Sequence, residues 1–503
     1  MNSQHSQSHF SASPEAMAFI QKEHRFLIGD QWLPASDGET LTVYNPANGE
    51  QITQVPAGKK EDMDRAVAMA RQTFDDSDWS RVKPVDRQKR LWDFADLIEK
   101  NARLLAEIES IDNGKSVVIA EHVDIRLAVD FLRYMAGFAT KIEGRSVDVS
   151  VPFMPDAQFH GYTRREAVGV VGAIVAWNFP LLLACWKLGP ALATGCTVVL
   201  KPAEETPLTA LKLAELALEA GYPPGVVNVV TGIGHEAGAA LSQHPDVDKL
   251  TFTGSTEVGK LIGKAAMNSM TRVTLELGGK SPTIVLPDAD LETAVQGAAN
   301  AIFFNHGQVC CAGSRLYVHK KHFENVVADI SSIAENMTLG SGLNPDAHMG
   351  PLVSARQQER VCGYIEQGLQ SGATITTGQY KADGPGFFVK PTVMTNVNHN
   401  DSVVKEEIFG PVLVAMPFDD IDEAVRIAND SQYGLGASIW SNNLSEVHRM
   451  IPRIKSGSVW VNCHTALDPA LPFGGFKQSG LGREMGSDVI EHYTEVKSVL
   501  MSI

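Results

Sequence analysis

A chain of 503 residues that is 44% hydrophobic and 20% charged is too long for a single core and is composed like an ordinary globular protein, so two or three domains are expected. Its net charge of −16, spread along the chain, excludes nucleic acid as a partner, because neutralising phosphate needs a basic face. The six cysteines (Cys185, Cys196, Cys310, Cys311, Cys362 and Cys463) have neither disulfide-framework spacing nor a CxxC pair, which argues against a disulfide scaffold or a metal site and fits a reducing, cytoplasmic setting.

Met1–Ala18 is rich in Ser, Gln and His, with no basic start and no apolar run. It reads as a disordered tail over residues 1–20, not as a secretory signal or transit peptide. From 20 to 55, short apolar runs alternate with Gly, Pro and Asn, as small strands and turns do. Asp62 to Ala139 has a helical period, as in Arg90–Ile98. Residues 144–166 alternate again, with Pro152 and Pro155 between two halves, and predict a protruding hairpin suited to a subunit contact. Ala167–Trp186 is nearly continuously apolar and long enough by count to span a membrane. Asn178 and Pro180 interrupt it, however, so strand, turn and helix are expected and a membrane is not.

Strand then alternates with helix: strands over Val168–Ala176, Thr197–Lys201, Val226–Val230 and Lys249–Thr253, and helices over Leu181–Thr194, Pro207–Ala220, His235–Gln243 and Thr256–Met267. A second series is read from Arg272–Leu275 through Thr283–Val285, Arg315–Val318, Val412–Met416 and Ser456–Asn462. Strands separated by helices imply parallel crossovers, hence an α/β fold with a doubly wound sheet. The expected division is a dinucleotide-binding domain over 21–143 and 167–276, a catalytic domain over 277–486, and an oligomerisation element over 144–166 and 487–503. The last residues, Thr494–Ile503, alternate like an edge strand able to extend a neighbouring subunit's sheet.

Chemistry concentrates in a few stretches. Phe303-Phe304-Asn305-His306-Gly307-Gln308-Val309-Cys310-Cys311 follows Glu276-Leu277-Gly278-Gly279-Lys280, which pairs a thiol nucleophile with a carboxylate base. Two glycine loops follow strands, Gly254-Ser255-Thr256-Glu257-Val258-Gly259 and Gly232-Ile233-Gly234 with Gly238. Pattern alone leaves either open as a phosphate cradle or a packing turn.

Together with Trp177-Asn178-Phe179-Pro180, Glu406-Glu407-Ile408-Phe409-Gly410-Pro411 and Pro472-Phe473-Gly474-Gly475, these stretches resemble the aldehyde dehydrogenase superfamily over about residues 25–500. The resemblance implies a Rossmann-type cofactor domain, an α/β catalytic domain and a small β oligomerisation hairpin. It implies NAD as cofactor, with Trp177, Lys201, Glu204, Gly254, Ser255, Gly259, Glu407 and Phe409 in its site. Glu204, on the ribose 2′-hydroxyl, would repel a 2′-phosphate and so favour NAD over NADP. The family pattern Gly-Gln-x-Cys selects Cys310 as nucleophile, a choice that spacing alone does not make. Because neighbouring side chains are expected to diverge, only one can face the nicotinamide, and Cys311 is read as a packed or accessory thiol. The chemistry then assigns oxyanion donors to the Asn178 amide and the Cys310 backbone N–H, and the hydrolytic base to Glu276. An intact base argues against release of the acyl group to coenzyme A, and an intact set argues against a non-catalytic binding protein.

By the same resemblance Phe179, Leu183, Trp186, Phe304, Leu467 and Phe473 line the substrate tunnel, although Phe179 and Trp186 share a helix face that reads equally as core. Val461-Asn462-Cys463-His464-Thr465-Ala466-Leu467-Asp468-Pro469-Ala470-Leu471 is similar to the bacterial phenylacetaldehyde-oxidising branch of the family. That implies phenylacetaldehyde as substrate and phenylacetate as product, as in styrene or phenylethylamine breakdown, with broad or medium-chain aliphatic specificity as the alternative. A homo-oligomer, dimer or dimer of dimers, follows by family analogy.

Overall fold

The computed structural model describes residues 11–378 and 381–503. Two large sheets organise the chain. The first has eight strands in the order Gly480–Leu481, Arg272–Glu276, Lys249–Thr253, Val170–Ile174, Thr197–Lys201, Val227–Val229, Phe26–Ile28, Gln31–Leu33. Its five central strands are parallel, and antiparallel pieces close both edges. Helices cover both faces, so Val170–Ile174, Thr197–Lys201 and Lys249–Thr253 are buried at every residue, which is why they read as unbroken apolar runs.

The second sheet has seven strands in the order Thr374–Thr377, Thr392–Thr395, Val412–Phe418, Arg315–His319, Pro282–Val285, Gly436–Trp440, Ser458–Val461, all parallel except the first. A third sheet is small: Thr494–Ser502 runs antiparallel along the whole of Phe159–Ala167, which also pairs with Ser146–Val147.

Three expectations change. Arg272–Glu276 does not open the second series; it lies parallel to Lys249–Thr253 and belongs to the first sheet. The His235–Gln243 helix is a wide π-type turn over Gly234–Gly238 leading into a short Ala239–Ser242 helix. The C-terminal strand is an edge strand, as expected: one side pairs with Phe159–Ala167 of its own chain and the other is free. The tail expected over 1–20 gives way at Pro14 to a helix over Pro14–Gln21, capped by the Ser13 side chain and docked through Ala16, Phe19 and Ile20. The rest of that expectation, residues 1–10, lies outside the described residues.

The first sheet reverses strand order between Val170–Ile174 and Lys249–Thr253, neighbours in space but far apart in sequence. Open α/β sheets bind ligands beyond the carboxyl ends of strands at such a point. Only the Leu277–Ser281 segment joins Glu276 to the first strand of the second sheet, so the carboxyl edge of one sheet meets the amino edge of the other there.

Candidate active site

Trp177 and Asn178 follow the strand on one side of the reversal, and Gly254 and Ser255 follow the strand on the other. Ser255 caps the Thr256–Ser269 helix, its hydroxyl accepting from the Val258 N–H at 3.3 Å, so the positive end of a 14-residue helix opens at the cleft. Gly259 is a packing position: a Cβ there would lie 2.3 Å from Leu277 Cδ2, so its absence lets the helix close on the end of the Glu276 strand.

Glu204 accepts from Lys201 Nζ at 3.2 Å and from the Gly234 N–H at 3.4 Å, so the other glycine loop borders the same carboxylate. Burial alone would raise the Glu204 carboxyl, but Lys201 and backbone N–H donors outweigh it and hold the group below its ordinary range. At the opposite end Glu407 accepts from the Gly279 N–H at 2.8 Å. Burial pushes it up to about 7 against that N–H, Arg360 and Lys280. Phe409, held at φ +63, packs edge-on against Trp177 with centroids 5.2 Å apart, and its carbonyl accepts from Gln357 Nε2 at 2.7 Å. Two carboxylates suited to ribose hydroxyls, with a helix N-terminus suited to pyrophosphate, fit a dinucleotide.

The loop that carries Cys310 is held in a demanding conformation. After the Leu291–Phe303 helix, Asn305 (φ +47), His306 (φ +61) and Gly307 (φ +71) are successive left-handed residues. Asn305 Nδ2 donates to the carbonyls of Asn178 (3.1 Å) and Gln308 (3.3 Å), His306 Nε2 accepts from the Gly350 N–H (3.0 Å), and Gln308 Oε1 accepts from the Val353 N–H (3.1 Å). Gly307 passes so near residue 410 that a Cβ would stand 2.1 Å from its carbonyl oxygen. Such over-determination is what keeps a strained turn in place at a site.

The loop brings Cys310 to Asn178, whose Nδ2 donates to the Gln308 carbonyl at 3.0 Å. Among the described residues the Cys310 backbone N–H has no acceptor. Cys311 does not diverge as expected. Both thiols border one cavity, since successive side chains in a turn need not alternate as they do in a strand. The Cys310 thiol is held well above the ordinary cysteine range, first by hydrogen bonding with Cys311, then by burial and by the charges of Cys311, Glu407 and Glu276.

Glu276 is not brought into hydrogen-bond contact with Cys310. Its buried carboxyl lies against Gly474, both oxygens without a hydrogen-bond partner among the described residues. Burial pushes it up to about 8, with Lys187 and Arg483 opposing. Lys187 in turn touches the Glu484 carboxylate.

The cavity, of about 180 Å³, is lined by all six expected substrate residues, Phe179, Leu183, Trp186, Phe304, Leu467 and Phe473, together with Asn178, Cys310 and Cys311. Phe179 and Phe304 stack with centroids 6.4 Å apart, and Trp186 lies 5.6 Å from Phe473.

The aldehyde dehydrogenase family model matches residues 32–499. A phenylacetaldehyde dehydrogenase of Pseudomonas fluorescens is 51% identical over 98% of both chains. Human mitochondrial aldehyde dehydrogenase is 45% identical over 95% of this chain and 92% of its own. The NAD+ complex of an aldehyde dehydrogenase from Bacillus cereus superposes with a TM-score of 0.95 at 48% identity, covering 98% of this chain and 99% of that one. The chain belongs to the aldehyde dehydrogenase family.

Several wall residues of this aldehyde dehydrogenase were not legible beforehand. Val123 and Leu127 sit four apart on a helix, which reads as ordinary core, and Asp124 between them reads as surface. Leu182, Asn300 and Val309 join the wall from positions adjacent to expected ones or one helix face away, and Thr253, His464 and Thr465 complete it. No helix among the described residues is long and apolar enough to cross a membrane, and no group of three or more His, Cys, Asp or Glu among them is placed to hold a metal.

Proposed function

We propose that this aldehyde dehydrogenase oxidises arylacetaldehydes, phenylacetaldehyde foremost, to the carboxylate with NAD. The observation that carries the substrate class is the aromatic wall of Phe179, Phe304, Trp186 and Phe473 converging on Cys310. The 51% identity to the Pseudomonas fluorescens enzyme supports it.

An aldehyde cannot surrender hydride directly without leaving an acylium ion. Cys310 Sγ, its proton taken by Glu276 across an intervening water, bonds to the carbonyl carbon, and the π pair moves to oxygen. The Asn178 amide and the Cys310 N–H donate to that oxyanion. Its collapse expels hydride and leaves a thioester on Cys310; bound NAD supplies the hydride acceptor. Glu276 passes that proton to solvent and then deprotonates water, which adds to the acyl carbon; the carbon–sulfur bond breaks to free the acid, and the proton on Glu276 returns to the Cys310 thiolate.

Glu204 and Lys201 would hold the adenosine ribose, Ser255 and the helix N-terminus would face the pyrophosphate, and Glu407, beside Phe409 and Trp177, would hold the second ribose. Glu204→Gln is expected to raise KM for NAD and to narrow the preference over NADP by about 10-fold or more, since hydrogen bonds to charged groups are worth about 1.5–3 kcal/mol. Initial rates with both nucleotides check this.

The exposed apolar residues Val496 and Leu500 on the C-terminal strand, with Ile503 just beyond it, support assembly into a homo-oligomer, a dimer or a dimer of dimers. Light scattering of the full chain tests the assembly. The substrate reading is tested by NADH formation from phenylacetaldehyde, hexanal and betaine aldehyde, with and without coenzyme A. A kcat/KM highest for hexanal would give the site to medium-chain aliphatic aldehydes, which the cavity's leucines also suit, and dependence on coenzyme A would remove the hydrolytic reading.

A further inference from the structure

Behind the Asn178 turn lies a charged cluster that none of the steps above uses. The Ala102–Asn113 helix and the turn after it supply Glu109, Asn113 and Lys115, and the next helical segment supplies Asp124; all four are 0% exposed. Lys115 Nζ lies 2.5 Å from Asp124 Oδ2 and 3.1 Å from Glu109 Oε1. It also donates to the Asn178 carbonyl at 2.9 Å and sits 4.3 Å over the Phe179 ring. Glu109 Oε2 accepts from the Leu181 N–H at 3.2 Å, and Asn113 Nδ2 donates to the Trp177 carbonyl at 2.6 Å. Residues 177, 178, 179 and 181 are thus each gripped by one short stretch of chain.

Taking three ions out of water is costly, and apolar residues of the same volume would stabilise the fold at least as well. An apolar residue at 115 could not bind the Asn178 carbonyl, however, and that peptide sets where the Asn178 amide points. Burial works against the Lys115 charge, but the Asp124 and Glu109 carboxylates outweigh it and hold the ammonium above its ordinary range, so the bond to the carbonyl is charge-assisted at working pH.

We propose that Lys115, braced by Glu109 and Asp124, is a positioning residue for aldehyde oxidation: it fixes the Asn178 peptide and the Phe179 ring so that the Asn178 amide meets the oxyanion as it forms. The proposal rests on the reading of Asn178 as an oxyanion donor. Asp124 also borders the cavity, so the brace reaches the wall that substrate touches. A misplacement of about 1 Å at such a donor is enough to lose about 100-fold in rate.

The test is a double-mutant cycle on the full-length enzyme with Lys115→Met, Asn178→Ala and both together, reading kcat, KM for NAD and the melting temperature. Each single variant is expected to lose about 100-fold in kcat, with KM for NAD within about twofold of wild type. The double variant is expected to be no slower than Asn178→Ala alone. Losses that multiply in the double variant would show that Lys115 does not act through Asn178 and would overturn the proposal while leaving the donor reading intact. An Asn178→Ala enzyme with unchanged kcat would instead remove the donor reading, and the proposal with it. If Lys115→Met does not fold, Asp124→Asn takes its place in the cycle; it keeps the shape and leaves Lys115 paired with Glu109. Its expected loss is about 10-fold, with the same non-additivity deciding the outcome.

Discussion

Cys310→Ala is expected to lose aldehyde oxidation by about 10⁴-fold or more, the scale on which a covalent nucleophile's removal is felt, while Cys311→Ala keeps turning over. The two thiols border one cavity, so proximity does not separate them. Exposure does, because Cys310 is partly exposed whereas Cys311 is buried. Cys311 has a second expected effect. Its side chain is the largest influence raising the Cys310 thiol, ahead of burial. Removing it lowers the Cys310 pKa and shifts thiolate formation to lower pH. Alkylation by iodoacetamide, followed as rate against pH, is therefore expected to begin at lower pH in Cys311→Ala than in wild type. An unmoved profile would mean that Cys311 does not bond to Cys310. A dead Cys311→Ala beside an active Cys310→Ala would reverse the assignment of nucleophile.

Much of the fold is legible because its central strands are buried on both faces and separated by helices of clear period, so Val170 to Thr253 can be read as strand and helix in turn. Membership is harder to read than existence. Arg272–Glu276 is a plain strand in sequence, but nothing local says that its neighbour is Lys249–Thr253 and not the strand that follows it five residues later. The Pro14–Gln21 helix carries a readable signal in Ser13, Pro14 and the 16, 19, 20 spacing, which the polar residues before it mask.

At the site, Cys310, Glu276 and Asn178 announce themselves because each sits in or directly before a glycine-, proline- or asparagine-rich turn that breaks the surrounding period. Glu109, Lys115 and Asp124 do not. Three charges among helical residues read as a solvated face, and only the packing of the first helices against the Asn178 turn reveals that all three are enclosed. The placement of Glu276 behind the cavity wall is likewise a property of how Gly474 and the end of the first sheet meet, which no local pattern encodes.

Glu276→Gln is expected to lower kcat by about 10²–10⁴-fold, the range for a general base, and to stabilise the fold at alkaline pH. Both effects have one cause. Burial without hydrogen-bond partners pushes the carboxyl up to about 8, against Lys187 and Arg483, so the group is poised to take a proton near neutral pH. In wild type, activity is expected to rise with pH through about 8 as this carboxyl ionises, and that limb is expected to vanish in the Gln variant. Glu276 serves both the step that frees the Cys310 thiolate and the step that activates water, so both the first turnover of NADH and the steady state are expected to slow in the variant. For stability the sign is fixed by linkage. The folded pKa lies above the ordinary value of 4.5, so the folded state holds its proton more tightly. This contribution is present in full below pH 4.5 and lost once pH has risen through about 8. The amide that replaces the carboxyl cannot ionise, so the melting temperature of the variant relative to wild type is expected to climb between those limits and then level off. A constant difference across that range would mean that the Glu276 carboxyl is hydrated in solution, and a base poised by burial would then no longer explain how water is activated.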